Sequence, residues 1–313
     1  MSAGLVRGGR RASRGFTLVE LMVACLISLM VLVILSRTLA SGSSSERTNS
    51  GAAEIASNGR YALEVLRRSL MHAGYRALSW APTSAMTTTA PVVTNDCSAG
   101  FAINIAQPVW GSNDSNPFQA TCVPAANYAG GDILVTRLAA GEPATALDGN
   151  TLYLRSSYDR AEVFQGSTPP PLFTATPRED HALQTSVFYI SPYSVSTTES
   201  PKVPGLWRLS LGSGPTMTSA LVASNVEALQ VQYGRTTTDL KTRFYNANQI
   251  NAAVTPSEWN DVSAVRVWIL VRASTPEAGY VNNSSYVLGD RTITVNDSYR
   301  REVFSTLVQV RNK

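Results

Sequence analysis

The chain has 313 residues, 44% hydrophobic and 15% charged, a composition that fits a globular domain carrying one membrane span. Its formal charge of +4 comes from the first fifteen residues, where Arg7, Arg10, Arg11 and Arg14 stand without an acid. Without those four, 22 of the 26 basic residues remain against 22 acidic ones, which leaves net charge no part in binding nucleic acid or an anionic surface.

Residues 1–15 read as a leader with no fold of their own. Behind them, Phe16 to Leu35 is an apolar run of twenty residues with one charge, Glu20. At about 1.5 Å per residue such a helix reaches roughly 30 Å, enough to cross a bilayer core. The leader arginines keep the N-terminus in the cytoplasm and send the rest outside. A carboxylate within the span costs roughly 2.5–3.5 kcal/mol, and a positive partner is the usual compensation. A secretory signal peptide has a shorter apolar core, of about 7–15 residues, and is cut behind it. Here the core is longer, holds Glu20, and is followed by only a weak site at Thr38-Leu39-Ala40. The Arg10-Arg11 pair lacks the residues that follow a twin-arginine signal, and an ordinary anchor explains neither Glu20 nor the leader.

Arg37 marks the far interface. Residues 41–51 are rich in serine and glycine and are poor helix formers, so a continuous or weakly interrupted helix is expected there. Ile55, Ala62, Leu63, Leu66, Leu70 and Ala73 then form one apolar stripe at helical spacing, predicted to pack on a sheet. Glu64 and Arg68 make an i,i+4 pair beside it, and Gly74 is the expected C-terminal cap. Residues 76–131 are rich in Ala, Thr, Ser, Pro and Asn, with one short strand predicted at Phe101–Ile105. Asn113-Asp114-Ser115-Asn116 reads as a plain turn, since it lacks the spacing and glutamate of a calcium loop.

From residue 132 the chain reads as strands and turns. Strands are expected at 133–138, 152–155, 187–190, 206–211, 229–233, 262–271, 292–295 and 302–310. Val265, Val267, Ile269 and Val271 put β-branched residues on one face, while Trp268 and Leu270 load the other, so this strand is predicted to be central. Leu229, Val231 and Tyr233 alternate with Gln230 and Gln232, a half-buried pattern.

Gly15-Phe16-Thr17-Leu18-Val19-Glu20 resembles the class III signal of type IV pilins and type II secretion pseudopilins. The resemblance implies that a prepilin peptidase cuts between Gly15 and Phe16 and methylates the new terminus at Phe16. Later stretches resemble the PilW family of minor type IV pilins. They are Asn58-Gly59-Arg60-Tyr61-Ala62-Leu63-Glu64 with His72-Ala73-Gly74-Tyr75, Gly131-Asp132-Ile133-Leu134-Val135, Val226 to Gly234, Trp259 through Val267, and Leu307 to Asn312. The implied fold is α+β and type IV pilin-like, a long N-terminal helix packed on a mainly antiparallel sheet. Its expected parts are a leader at 1–15, a membrane helix at 16–36, an amphipathic continuation at 37–75, a variable loop region at 76–131 and a β domain at 132–313.

The functional expectations follow from those residues. Cutting turns the uncharged amide of Phe16 into an amine that stays basic when methylated, and Glu20 then has a cation to meet on its own helix or on a neighbour's. Cys25 sits in the membrane helix as a packing residue. Cys97 and Cys122 lie in the exported part, 25 residues apart, and are expected to pair, adding roughly 3–4 kcal/mol by chain entropy. By resemblance, the chain starts pilus assembly and joins other minor pilins and the major pilin at the tip, presenting a PilY-type adhesin. The peptidase and the inner-membrane assembly platform would be its processing and assembly partners. The precursor would be a single-pass inner-membrane protein with its C-terminal domain in the periplasm.

The alternative is a J-type minor pseudopilin of a type II secretion system. A DNA-receptor pilin is disfavoured by the neutral mature charge. An enzyme is not expected: His72 reads as structural at the helix end, His181 as exposed in a polar stretch, and no zinc, nucleophile-elbow or phosphate-loop motif is present. No cofactor or metal is expected either.

Overall fold

The computed structural model describes residues 15–80, 86–171, 177–236, 239, 241–254 and 257–312, so the expected leader, except Gly15, lies outside the described residues. Two compact units divide the chain, one ending at Ser50 and one running from Gly51 to Lys313.

Helix α1 (Leu18–His72) is continuous, and the serine-rich stretch does not break it. In the first unit its apolar side chains are exposed from Phe16 to Leu39. The hydroxyls within that stretch are satisfied locally. Ser28, Ser36 and Thr38 each donate to the carbonyl four residues back, at 2.8, 2.8 and 2.9 Å. This is how a hydroxyl enters an apolar span without a free donor.

In the second unit, α1 uses the stripe read from the sequence. Ile55, Ala62, Leu66, Leu70 and Ala73 are all buried. The helix ends where expected: Gly74 has φ +80° and its amide bonds the Arg137 carbonyl at 2.8 Å. A left-handed residue at this position is the usual helix stop, and glycine takes it without strain.

Eight strands of the described residues form one sheet. They are β1 (Met86–Thr88), β2 (Val109–Ser112), β3 (Ile133–Ala139), β4 (Leu152–Ser156), β5 (Ala161–Gln165), β6 (Glu179–Ser191), β7 (Gly205–Gly212) and β8 (Thr216–Ser224). Their order is β1-β5-β4-β6-β3-β2, with β7 pairing β6 and β8 pairing β7. Every pairing is antiparallel except β1 on β5. A second sheet runs β10-β9-β11-β14, from β9 (Val226–Thr236), β10 (Thr242–Tyr245), β11 (Val262–Arg272) and β14 (Arg301–Gln309). The hairpin of β12 (Ser285–Leu288) and β13 (Arg291–Thr294) stands apart. The molecule is thus α+β, a long helix packed on antiparallel-rich sheets.

Two cores share the strands. The α1 stripe packs with Leu134, Phe188 and Ile190 of the first sheet and with Leu229, Val231, Val265, Val267 and Ile269 of the second. On the opposite face of β3 and β6, Ile133, Val135, Val187 and Tyr189 pack against Ala102, Ile105, Phe118 and Val123. β3 is therefore buried on both faces, and its run of apolar residues follows from that. β11 is central as predicted. Its odd residues face α1, and Leu270 and Trp268 meet Leu288 of the hairpin on the other side.

Three expectations are corrected. Phe101–Ile105 forms turns, not a strand, because its backbone is held by side chains: Arg137 takes the Phe101 carbonyl and Asp96 takes the Phe101 and Ala102 amides. His181 is buried, its ring between the Ala140 carbonyl at 2.7 Å and Glu179 at 3.0 Å. Gln230 is buried as well, since its amide reaches Asp114 at 2.9 Å under the Asn113–Asn116 turn.

Candidate functional site

Residues 15–17 precede the helix, and Thr17 joins its ladder through its carbonyl, which accepts the Leu21 amide at 3.1 Å. Gly15 has no neighbouring heavy atom where a Cβ would stand, and Phe16 is 84% exposed. The Gly15–Phe16 peptide bond therefore sits in open, non-helical chain.

Thr17 and Glu20 close the helix start between them. The Thr17 amide donates to Glu20 Oε2 at 2.9 Å, and the Glu20 amide donates to Thr17 Oγ1 at 3.2 Å. The Thr17 hydroxyl adds a third bond to the same carboxylate oxygen at 3.0 Å. This is a capping box, in which residues at the cap and the third helical position satisfy each other's amides. It places the Glu20 carboxylate over the helix N-terminus, where the partial positive charge of the helix also favours an anion. The apolar stretch behind it, Leu18–Leu39, has a mean hydropathy of 2.9, long and apolar enough to cross a membrane.

In the second unit Cys97 and Cys122 are joined as a disulfide with Cα atoms 4.7 Å apart. Both half-cystines are buried. Around them, Asp96 accepts the amides of Cys97, Phe101 and Ala102 at 2.8, 3.0 and 3.0 Å, and Thr121 donates its hydroxyl to the Cys97 carbonyl at 2.7 Å. Arg137 closes the arrangement from β3. It is fully buried, donates to the carbonyls of Phe101 and Gln107 at 2.8 and 2.6 Å, and lies 4.2 Å from the Phe101 ring centre. Burial pulls its guanidinium down to about 9, opposed by the charge of Asp96.

A family model described as Type IV Pilus-assembly protein W matches residues 187–312. One described as Prokaryotic N-terminal methylation motif matches residues 10–36. The chain thus carries a PilW-type region behind a pilin-type methylation motif. The methylation motif covers the start of a helix long and apolar enough to cross a membrane. Among solved structures it is similar to a type IV-like pilin from Thermus thermophilus, at 14% identity and a TM-score of 0.37, over 83% of this chain and 95% of that one. No curated protein matches it.

The PilW-matching part contains β7, β8 and the whole second sheet. One end of that sheet is tied by a cluster of charges absent from the sequence reading. Arg301 bonds Glu227 at 3.1 Å through Nη2 and also bonds Asp297, while Arg272 reaches Glu227 at 3.3 Å. Glu227 and Arg272 enter from β9 and β11, so the cluster locks three strands at one register. Its sequence signal is weak, because charges at strand ends ordinarily face water. Arg137 had a clearer one: a lone arginine inside the apolar run Ile133 to Leu138.

Proposed function

We propose that this PilW-type chain is a structural subunit that helps start type IV pilus assembly and forms part of the tip complex presenting an adhesin. The observation that carries the reading is the joint presence of a pilin methylation motif and a PilW-type domain in one chain. The N-terminal geometry supports the order of events. Cleavage at Gly15–Phe16 creates an amine one residue before the Thr17 amide that Glu20 already accepts. A carboxylate in place before the cation appears has little left to reorganise, which favours pairing in a low-dielectric setting. The precursor is then anchored with its leader arginines in the cytoplasm and its β domain outside. Removal of those arginines frees the helix to leave the bilayer. The reading assigns no reaction to the chain, and places the prepilin peptidase and the assembly platform as its processing partners.

The test is genetic. Deleting the gene should lower the pili sheared from cells, leave the major pilin in the membrane, and be reversed by the intact gene in trans. Normal pilus yield with a normal tip adhesin would contradict the reading.

A further inference from the structure

Beside α1, within the second unit, lies a groove of about 330 Å³. Its helical wall carries Tyr61, Glu64, Arg68 and His72, and its sheet wall carries Gln184, Ser186 and Arg208. Arg208 stands on β7 directly opposite Phe188 of β6. Cross-strand partners share a face, and Phe188 packs in the core beneath α1, so Arg208 points toward the helix. Its Nε is fully buried and has no acceptor among the described residues. The acid in the groove is already engaged: Glu64 bonds Arg67 at 3.3 Å and Arg68 at 3.4 Å.

We propose that this groove receives a carboxylate side chain from a neighbouring pilin-type subunit. The inference rests on the minor-pilin reading and deepens it by naming a docking surface. A half-buried guanidinium that meets no acid among the described residues has lost water without gaining a counter-charge, and an anion entering the groove supplies one. The guanidinium fork matches a carboxylate with two parallel bonds. Ser186, Gln184 and His72 add donors around it, and Arg68 adds a second positive charge at the mouth. The groove thus presents donors and a positive excess, the complement of an acidic group. Tyr61, 58% exposed, gives the mouth an apolar shoulder. That suits an acid set beside an apolar residue on a folded partner better than a small free anion.

The experiment uses the full-length chain, co-expressed with the other minor pilins of its system and purified in mild detergent. Arg208→Gln, Arg208→Glu and Arg68→Glu are compared with Arg60→Glu, an exposed position of the same helix that does not line the groove. Thermal melts confirm that each variant folds. The expected result is recovery of the partner subunits reduced about tenfold or more by the changes at 208 and 68, and unchanged by Arg60→Glu. If Arg208→Glu fails to fold, Arg68→Glu decides alone. Equal recovery across the folded variants, or equal loss with Arg60→Glu, overturns the groove while leaving the minor-pilin reading standing. A wild-type chain that recovers no partner overturns that reading and the groove with it.

Discussion

Glu20 sits at the third helical position of α1, where its carboxylate accepts the Thr17 amide at 2.9 Å. The same group is therefore a helix cap and the proposed answer to the Phe16 amine, and two substitutions separate these roles. Glutamine keeps a capping box but has no charge, whereas alanine loses both. Glu20→Ala and Glu20→Gln should both leave cleavage intact and both lower the amount of the chain recovered in sheared pili. If Glu20→Gln enters pili like the wild type while Glu20→Ala does not, the cap matters and the charge pairing does not. Asp132 gives a second prediction at this scale. Its buried carboxylate accepts the amides of Asp114 and Val231 at 2.9 and 2.7 Å. Burial, aided by the charges of Asp114 and Asp290, pushes its pKa up to about 7. The folded chain then holds a proton that the unfolded chain releases near pH 4. The stability this contributes is fully present below pH 4, falls as pH rises toward 7 and is gone above it, by roughly 4 kcal/mol at most. Asp132→Asn should flatten that slope in melts taken from pH 4 to 8, at a cost of about 1–3 kcal/mol for the amide it leaves unmet.

At the scale of elements, α1 is positioned by a contact with no side chain on one partner. Gly59 is buried, and a Cβ there would overlap the Phe304 ring of β14. Gly59→Val should destabilise the domain by about 1–3 kcal/mol in denaturant titrations, since a packed core yields poorly to added volume. An unchanged midpoint would mean that the ring moves freely. The Cys97–Cys122 bond holds the segment that roofs β3, and replacing both cysteines with serine should cost about 2–4 kcal/mol without altering Gly15–Phe16 cleavage. The stripe of α1 and the β-branched alternation of β11 were legible because a single face fixes the period. β5 and β8 were not. β8 is an edge strand of small and polar residues with four consecutive exposed positions, so it carries no apolar alternation. The Phe101–Ile105 alternation misled for a different reason: its carbonyls and amides are claimed by Arg137 and Asp96, contacts set by tertiary structure. His181 looked exposed because Arg178, Glu179 and Asp180 precede it, yet strand alternation turns its ring inward on β6. The methylation motif and the apolar helix were legible because motif, charge placement and helix length act locally, whereas the Thr17–Glu20 capping box was not read. The groove at Arg208 was not, because it joins residues more than a hundred positions apart.

At the scale of the whole molecule, the charge asymmetry of the precursor and the apolar exposure of its helix belong together. The apolar side chains from Phe16 to Leu39 are exposed among the described residues. Under the proposed function a bilayer covers them before assembly and other helices after it. In the proposed order of events, four leader arginines hold the precursor in the first of these, and their loss leaves a formally neutral subunit suited to the second. The central claim is that proteolysis creates a positive nitrogen beside a carboxylate already waiting for it. The most direct measurement is the N-terminal sequence and mass of the protein recovered from pili and from membranes. The account predicts a terminus at Phe16, N-methylated, with residues 1–15 gone. A terminus at Met1 or Ser2, or one beyond the apolar stretch near Ser41, would contradict it.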